Sequence, residues 1–204
     1  MTTIFRTAAI VGLFSLAACS QTAEETVEPV TNGVWTIDSK ASELSYVTVK
    51  SGEIVEVNSF ENVSGSVGAD GAATLSIDLA SVSTGIDIRD ERMRDIFFEV
   101  AANPTATVTA QIDPAAFEAL GVGESTTQTL EATLSVKGVE APVEAEIDVT
   151  RVAADRVIAV SASPVVVYAD ALELTGGLAQ LQELAGLPSI TPAVPVTFSL
   201  AFER

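Results

Sequence analysis

From Val194 onward, Val194, Val196, Phe198, Leu200 and Phe202 fall at every second position to the end of the chain, with Pro195, Thr197, Ser199 and Ala201 between them. A period of two is the signature of a β-strand, whose successive side chains point to opposite faces; a helix would scatter this set around its axis. The pattern recurs. Leu75, Ile77 and Leu79 alternate with Thr74, Ser76 and Asp78, and Val108, Ala110 and Ile112 with Thr107, Thr109 and Gln111. Leu130, Ala132, Leu134 and Val136 alternate with Glu131, Thr133, Ser135 and Lys137, and Val143, Ala145, Ile147 and Val149 oppose Glu144, Glu146, Asp148 and Thr150. Residues 35–37 and 44–46 begin two further strands, 59–67 reads as another, and 156–169 as one long, nearly continuous apolar strand. About eight or nine strands are expected. Turn-prone pieces join them (Ser51-Gly52, Ala69-Asp70-Gly71, Lys137-Gly138), and such short links make neighbours antiparallel. So many strands with one apolar face must close into a barrel or stack as a sandwich, and the pattern alone does not choose between the two.

Two segments break the alternation. Over 88–98, charged residues accompany Met93, Ile96, Phe97 and Val100 at helical spacing; Asp87 is placed to cap the first turn, with Asp90 three residues on. Over 171–187, Leu174, Leu178, Leu181, Leu184 and Leu187 recur every three or four residues, and Gly186-Leu187-Pro188 ends the run. This leucine stripe reads as a helix face packed on the sheet; the alternative is that the helix also lids a cavity mouth.

The N-terminus carries a separate message. Arg6 precedes ten uncharged residues, 8–17, too few to cross a hydrocarbon core of about 30 Å but suited to a signal peptide. Leu16-Ala17-Ala18-Cys19 follows directly and resembles a bacterial lipobox, so residues 1–18 are expected to be removed and Cys19 lipidated; the alternative is an ordinary secreted protein with a stray thiol. Ser20 after the cysteine, in place of aspartate, resembles lipoproteins sent to the outer membrane, which makes the expected setting the periplasmic side of the cell envelope. Residues 19–33 are polar and acidic and read as a flexible tether, with the domain at 34–204.

Cys19 is the only cysteine, so with its thiol lipidated the mature chain has no disulfide, thiolate site or cysteine nucleophile. There is no histidine, which removes the commonest general base and zinc ligand. No Gly-rich phosphate loop or calcium loop is written in the sequence; neither a metal, a cofactor nor catalysis is expected. Removing Arg6 leaves nine Lys plus Arg against 28 Asp plus Glu, a net charge near −19 that repels nucleic acid.

The ordered motifs Ser83-Thr84-Gly85, Arg89-Asp90-Glu91-Arg92-Met93-Arg94, Phe97-Phe98-Glu99-Val100 and Asn103-Pro104-Thr105-Ala106-Thr107 resemble the signature stretch of YceI-like proteins. Thr133 to Val139 with Pro142-Val143, and the opening Trp35-Thr36-Ile37-Asp38 with Ser42, resemble two more of the family's stretches, so the likeness covers about 34–204. The resemblance implies an all-β, lipocalin-like antiparallel barrel of about eight strands, with one short and one longer helix, that holds a long isoprenoid chain such as a polyprenyl or quinone-like lipid. On that reading Leu75, Ile77, Leu79, Val108, Ile112, Leu130 and Leu134 line the bore, and the small Ala106, Ala110, Ala132 and Ala145 leave room in it. Arg89 would meet a polar lipid head, or else pair with a carboxylate at the barrel mouth while Asp90 supports the helix start. Phe97 and Phe98, adjacent on a helix, would point different ways, one packing inward and one lining a pocket. The alternative function is an envelope or stress lipoprotein with a packed barrel that acts through a protein partner. The helical insertion at 170–188 is longer than the family minimum and could fill or cap the bore.

Overall fold

The computed structural model describes residues 28–204; the expected signal peptide and lipidation site, residues 1–18 and Cys19, lie outside them. Twelve strands form one closed sheet, and four pairs of them run end to end, so that the barrel has eight staves. The first is β1 (Trp35–Ile37) continued by β2 (Glu43–Lys50), the second β3 (Ile54–Phe60) continued by β4 (Val63–Val67), the third β5 (Ala72–Asp78) continued by β6 (Val82–Ser83). β7 (Thr105–Gln111), β8 (Ser125–Val136) and β9 (Val139–Ala153) follow, then β10 (Arg156–Ser161) continued by β11 (Val165–Tyr168), and last β12 (Ala193–Glu203). β12 closes the ring. One of its edges meets β10 and β11, and the other meets β1 and β2, with Ile37 opposite Phe202 and Leu44 opposite Phe198.

The barrel thus has the staves expected but not their continuity. The run 59–67 is bent at Glu61-Asn62 between β3 and β4, and 156–169 is interrupted between Ser161 and Val165, where Pro164 removes a ladder donor. Leu79 lies in a 3-10 turn (Leu79–Ser81) rather than a strand, though it is only 1% exposed. Aspartates make two of these corners: Asp38 Oδ1 accepts from Lys40 N at 3.1 Å and Asp78 Oδ1 from Ala80 N at 3.0 Å, which turns the chain locally in place of a ladder bond. Lys137 and Gly138, both at positive φ, join β8 to β9 in the two-residue hairpin their sequence announces. At the turn between β4 and β5, Gly71 (φ +82°) is obligatory: a Cβ there would lie 1.9 Å from Ile112 O.

Two helices partly cover one end. α1 (Asp87–Arg92) runs into a π-helical turn, Met93–Phe97. Its N-cap is Ile86, with no side-chain cap, and Asp87 sits inside the first turn, so the capping role expected of Asp87 is not realised. α2 (Thr175–Ala185) ends at Gly186 in the left-handed conformation. It packs on the π-turn instead of lying on the sheet as the leucine stripe suggested: a Cβ on Gly177 would sit 3.1 Å from Phe97 Cδ2, so glycine permits this approach. Leu178, Leu181 and Leu187 face the bore, whereas Leu184 is turned outward and half exposed.

The opposite end is plugged. Val30, Trp35, Leu120, Ile147, Val149 and Val157 form a buried cluster there, joined by Phe117 from a short 3-10 turn (Pro114–Phe117). Residues 28–33, assigned to the tether by composition, belong in part to this packing: Val30 is buried, and Trp35 Nε1 donates to Val30 O at 2.7 Å. The Arg151 guanidinium, 2% exposed, donates to the carbonyls of Glu28 (2.6 Å), Ala154 (2.9 Å) and Leu120 (3.3 Å). Arg204 lies over the Trp35 ring at 4.7 Å and donates to Asn32 O (2.7 Å) and Pro29 O (3.0 Å).

Candidate functional site

The inward residues of the staves do not fill the barrel. They surround a cavity of about 760 Å³, which lies within the range of sites that hold small-molecule ligands. All ten positions expected of the site stand on its wall. Leu75, Ile77 and Leu79 come from the third stave, Val108 and Ile112 from β7 and its end, Leu130 and Leu134 from β8, Phe97 and Phe98 from the π-turn, and Arg89 from α1. Alternation puts the seven aliphatic ones there, because each faces the same way as its neighbours two residues off. Ala110 and Ala132 are direct cross-strand partners, and Ala145 stands opposite Leu130. These small side chains make a recess in the wall.

Phe97 and Phe98 do not point apart. Their rings meet edge to face at 4.8 Å, and Phe98 continues to Phe60 at 5.8 Å. The π-turn widens the helix by one residue and brings both rings to the bore, so α-helical spacing misjudged them. The mouth lies at this end, beside the β2–β3 hairpin and α1. Ile54, Ile86 and Ile88 line the cavity there, yet are 46%, 47% and 54% exposed.

A polar knot sits just inside. Arg89 Nη1 donates to Glu56 Oε2 at 2.7 Å, Nε to Thr84 Oγ1 at 2.7 Å and Nη2 to Thr84 O at 2.5 Å. Lys50 also binds Glu56. Asp90 Oδ1 accepts from Thr84 N at 2.9 Å and from the Thr84 hydroxyl. Arg89 therefore has the carboxylate partner that one of its two readings anticipated, and Asp90 holds the loop ahead of α1. Asn58, 5% exposed, donates to Thr48 Oγ1 at 3.1 Å. Next to these is Tyr46, its ring 5.4 Å from Phe60 and its hydroxyl buried with no partner among the described residues. Tyr46, Glu56 and Asn58 were not singled out for a role by the sequence, although a signal existed: Tyr46, Thr48 and Lys50 share the parity of buried Leu44, and Glu56 and Asn58 that of Phe60. Polar residues on the inward parity of a strand mark a site.

Burial works against the Glu56 charge, but hydrogen bonds from Lys50 and Arg89 outweigh it and hold the carboxyl below its ordinary value of 4.5. A carboxyl lowered in the folded state contributes stability that is complete above its unfolded value and is lost as pH falls through the folded one. Acidification from about pH 6 to below about pH 4 should therefore release α1 from the barrel first. Amide exchange over 84–98, corrected for its intrinsic pH dependence, should accelerate ahead of the rest, and Glu56→Gln should flatten the response. Uniform exchange across the barrel would contradict the lock.

Among the described residues no cluster of Asp and Glu is arranged to hold a metal ion, and no helix is long and apolar enough to cross a membrane.

A closed eight-stave antiparallel barrel with an apolar bore and a helical cap defines a lipocalin-like fold. Within that class the chain belongs to the YceI-like domain family, whose model matches residues 35–202. A polyisoprenoid binding domain from Saccharophagus degradans, implicated in plant cell wall breakdown, is 39% identical; the match covers 83% of this chain and 98% of that one, with a TM-score of 0.80. BcnA of Burkholderia cenocepacia shares the fold at 20% identity and a TM-score of 0.62, covering 81% of this chain and 98% of its own. A mutant CJ YCEI protein does so at 15% identity and 0.53, covering 72% and 84%. No curated protein matches the chain.

Proposed function

We propose that this protein binds and carries a long apolar lipid of the isoprenoid type inside its barrel, at the periplasmic face of the cell envelope, held to a membrane by lipid on Cys19. The observation that carries the reading is the continuous apolar cavity, about 760 Å³, in a fold whose relative at 39% identity is a polyisoprenoid binding domain. Isoprenoid chains cannot cross water unaided, since each Å² of apolar surface left wet costs about 25 cal/mol; a bore lined by Leu75, Val108, Leu130 and Leu134 removes that cost. Binding is sufficient for this role, and no chemistry is assigned. Ser20 after the lipidated cysteine favours the outer membrane. The packed-barrel alternative, acting only through a protein partner, has the cavity against it.

The test is organic extraction of the purified mature protein followed by mass spectrometry. One polyprenyl or quinone-type lipid per chain is the expected result. An empty extract, repeated after incubation with isoprenoid lipids, would overturn the carrier reading.

A further inference from the structure

The mouth of the bore is bounded by three segments that touch in a ring. At the β2–β3 hairpin, Ser51 N donates to Ser189 O at 2.9 Å, which joins the hairpin to the chain leaving α2. The end of α2 meets the end of α1, where Arg92 Nη1 donates to Leu184 O at 3.4 Å. α1 returns to the hairpin through Arg89 Nη1 and Glu56 Oε2, 2.7 Å apart. Large apolar side chains stand exposed all along this ring. Ile54 and Val55 lie on the hairpin, Ile86 and Ile88 at the start of α1, and Leu184 on α2. Single apolar side chains scattered over a surface need no explanation, but a group gathered around one opening marks a contact face. Ile54, Ile86 and Ile88 also line the cavity, so the outer apolar surface continues into the bore.

The charges on the ring narrow what can cover it. Glu53 lies beside Ile54, Asp87 between Ile86 and Ile88, and Glu91 one turn further along α1; all three are exposed, and among the described residues none is in an ion pair. The cations of the three segments are engaged: Lys50 and Arg89 by Glu56, and Arg92 by the Leu184 carbonyl. The ring therefore presents apolar side chains interleaved with carboxylates, on a mature chain whose net charge is near −19. A second copy would set carboxylate against carboxylate, and so would a surface of anionic head groups. A bilayer of zwitterionic phospholipid meets both demands. Its outermost charges are ammonium groups, which pair with carboxylates, and its acyl boundary takes up isoleucine, valine and leucine side chains.

We infer that this ring docks the protein on the surface of a zwitterionic bilayer and sets the open end of the bore against the lipid. The inference rests on the carrier reading, which makes a bilayer the place where cargo resides, and on the ring, which surrounds the opening that cargo passes.

Flotation with vesicles tests it, using the mature chain with Cys19→Ser so that no acyl anchor contributes. Phosphatidylcholine vesicles should carry the protein upward. Replacing half of that lipid by phosphatidylglycerol should weaken binding about tenfold, and added salt should restore part of the difference. Val55→Asp combined with Leu184→Asp should weaken binding to phosphatidylcholine at least about tenfold. Neither residue lines the cavity, so this double variant should keep the parent's bound lipid and urea midpoint. Emission from Leu184→Trp should shift to the blue when vesicles are added, whereas Val122→Trp, exposed at the plugged end, should not respond. The inference would be overturned by an absence of flotation, by tighter binding to the anionic vesicles, or by a blue shift at Val122→Trp alone. A dimer that the double variant dissolves would overturn it too, because a second copy would then be the occupant. None of these results touches the carrier reading, which stands or falls on extraction of lipid from the same protein. An empty extract beside intact flotation would remove the cargo and uphold the docking face.

Discussion

Replacing Ala132 by tryptophan should abolish lipid uptake and leave the barrel folded. Ala132 faces the bore from the middle of β8, with Ala110 beside it across the β7–β8 ladder and Val143 across the β8–β9 ladder. An indole placed there has the cavity to enter, so the overpacking that normally destabilises a solid core by ~1–3 kcal/mol should be largely avoided. It would occupy the space a ligand chain needs. The amount of lipid retained after purification should fall roughly a hundredfold, equivalent to ~2.7 kcal/mol of binding free energy, while the urea midpoint stays close to that of the parent. Ala110→Phe, reaching the same recess from the neighbouring strand, should act alike. Undiminished lipid in both variants would mean that the ligand lies elsewhere.

Arg151→Met should cost about 3 kcal/mol of stability without touching the cavity mouth. Buried arginines usually meet carboxylates; among the described residues this one meets only carbonyl oxygens, those of Glu28, Leu120, Ala153 and Ala154. Charge-assisted donors make strong hydrogen bonds, and a methionine of similar length would keep the packing while leaving those acceptors without partners. Burial, and Arg204 next to it, push the Arg151 pKa down from its ordinary value, yet a guanidinium remains charged at any pH the protein meets. Urea unfolding measures the loss. Limited proteolysis should in addition find 28–33 newly accessible, since the carbonyl of Glu28 would lose its hold. A change below about 1 kcal/mol would show that Arg204 alone secures this segment.

The period of two was enough to reveal the barrel's wall, because each stave has one face on the bore and one in water. It hid the corners. Leu79 keeps the parity of Leu75 and Ile77 yet sits in a turn, since an aspartate that accepts from the amide two residues on bends the chain without disturbing the burial pattern. The seven aliphatic wall positions were legible for the same reason as the strands. The polar knot was not, because Lys50 and Glu56 look like ordinary surface charges until the parity of Leu44 and Phe60 is followed into them. The pair Phe97 and Phe98 depended on a π-turn, which leaves no regular mark on residue spacing. Val30 was misplaced because a single apolar side chain in an acidic stretch gives composition nothing to weigh; its neighbours Arg151 and Arg204 are far away in sequence.

The arginine clamp on 28–32 lies at the plugged end of the barrel, a full stave's length from the mouth. With Cys19 in a bilayer as proposed, the chain from Cys19 to Glu28 can reach at most about 30 Å. Such a protein would be moored at its floor, with its doorway at the end of the barrel opposite the tether. Cargo would then pass at the end of the barrel farthest from the attachment, and the barrel would have to tip on its tether to meet the leaflet that anchors it.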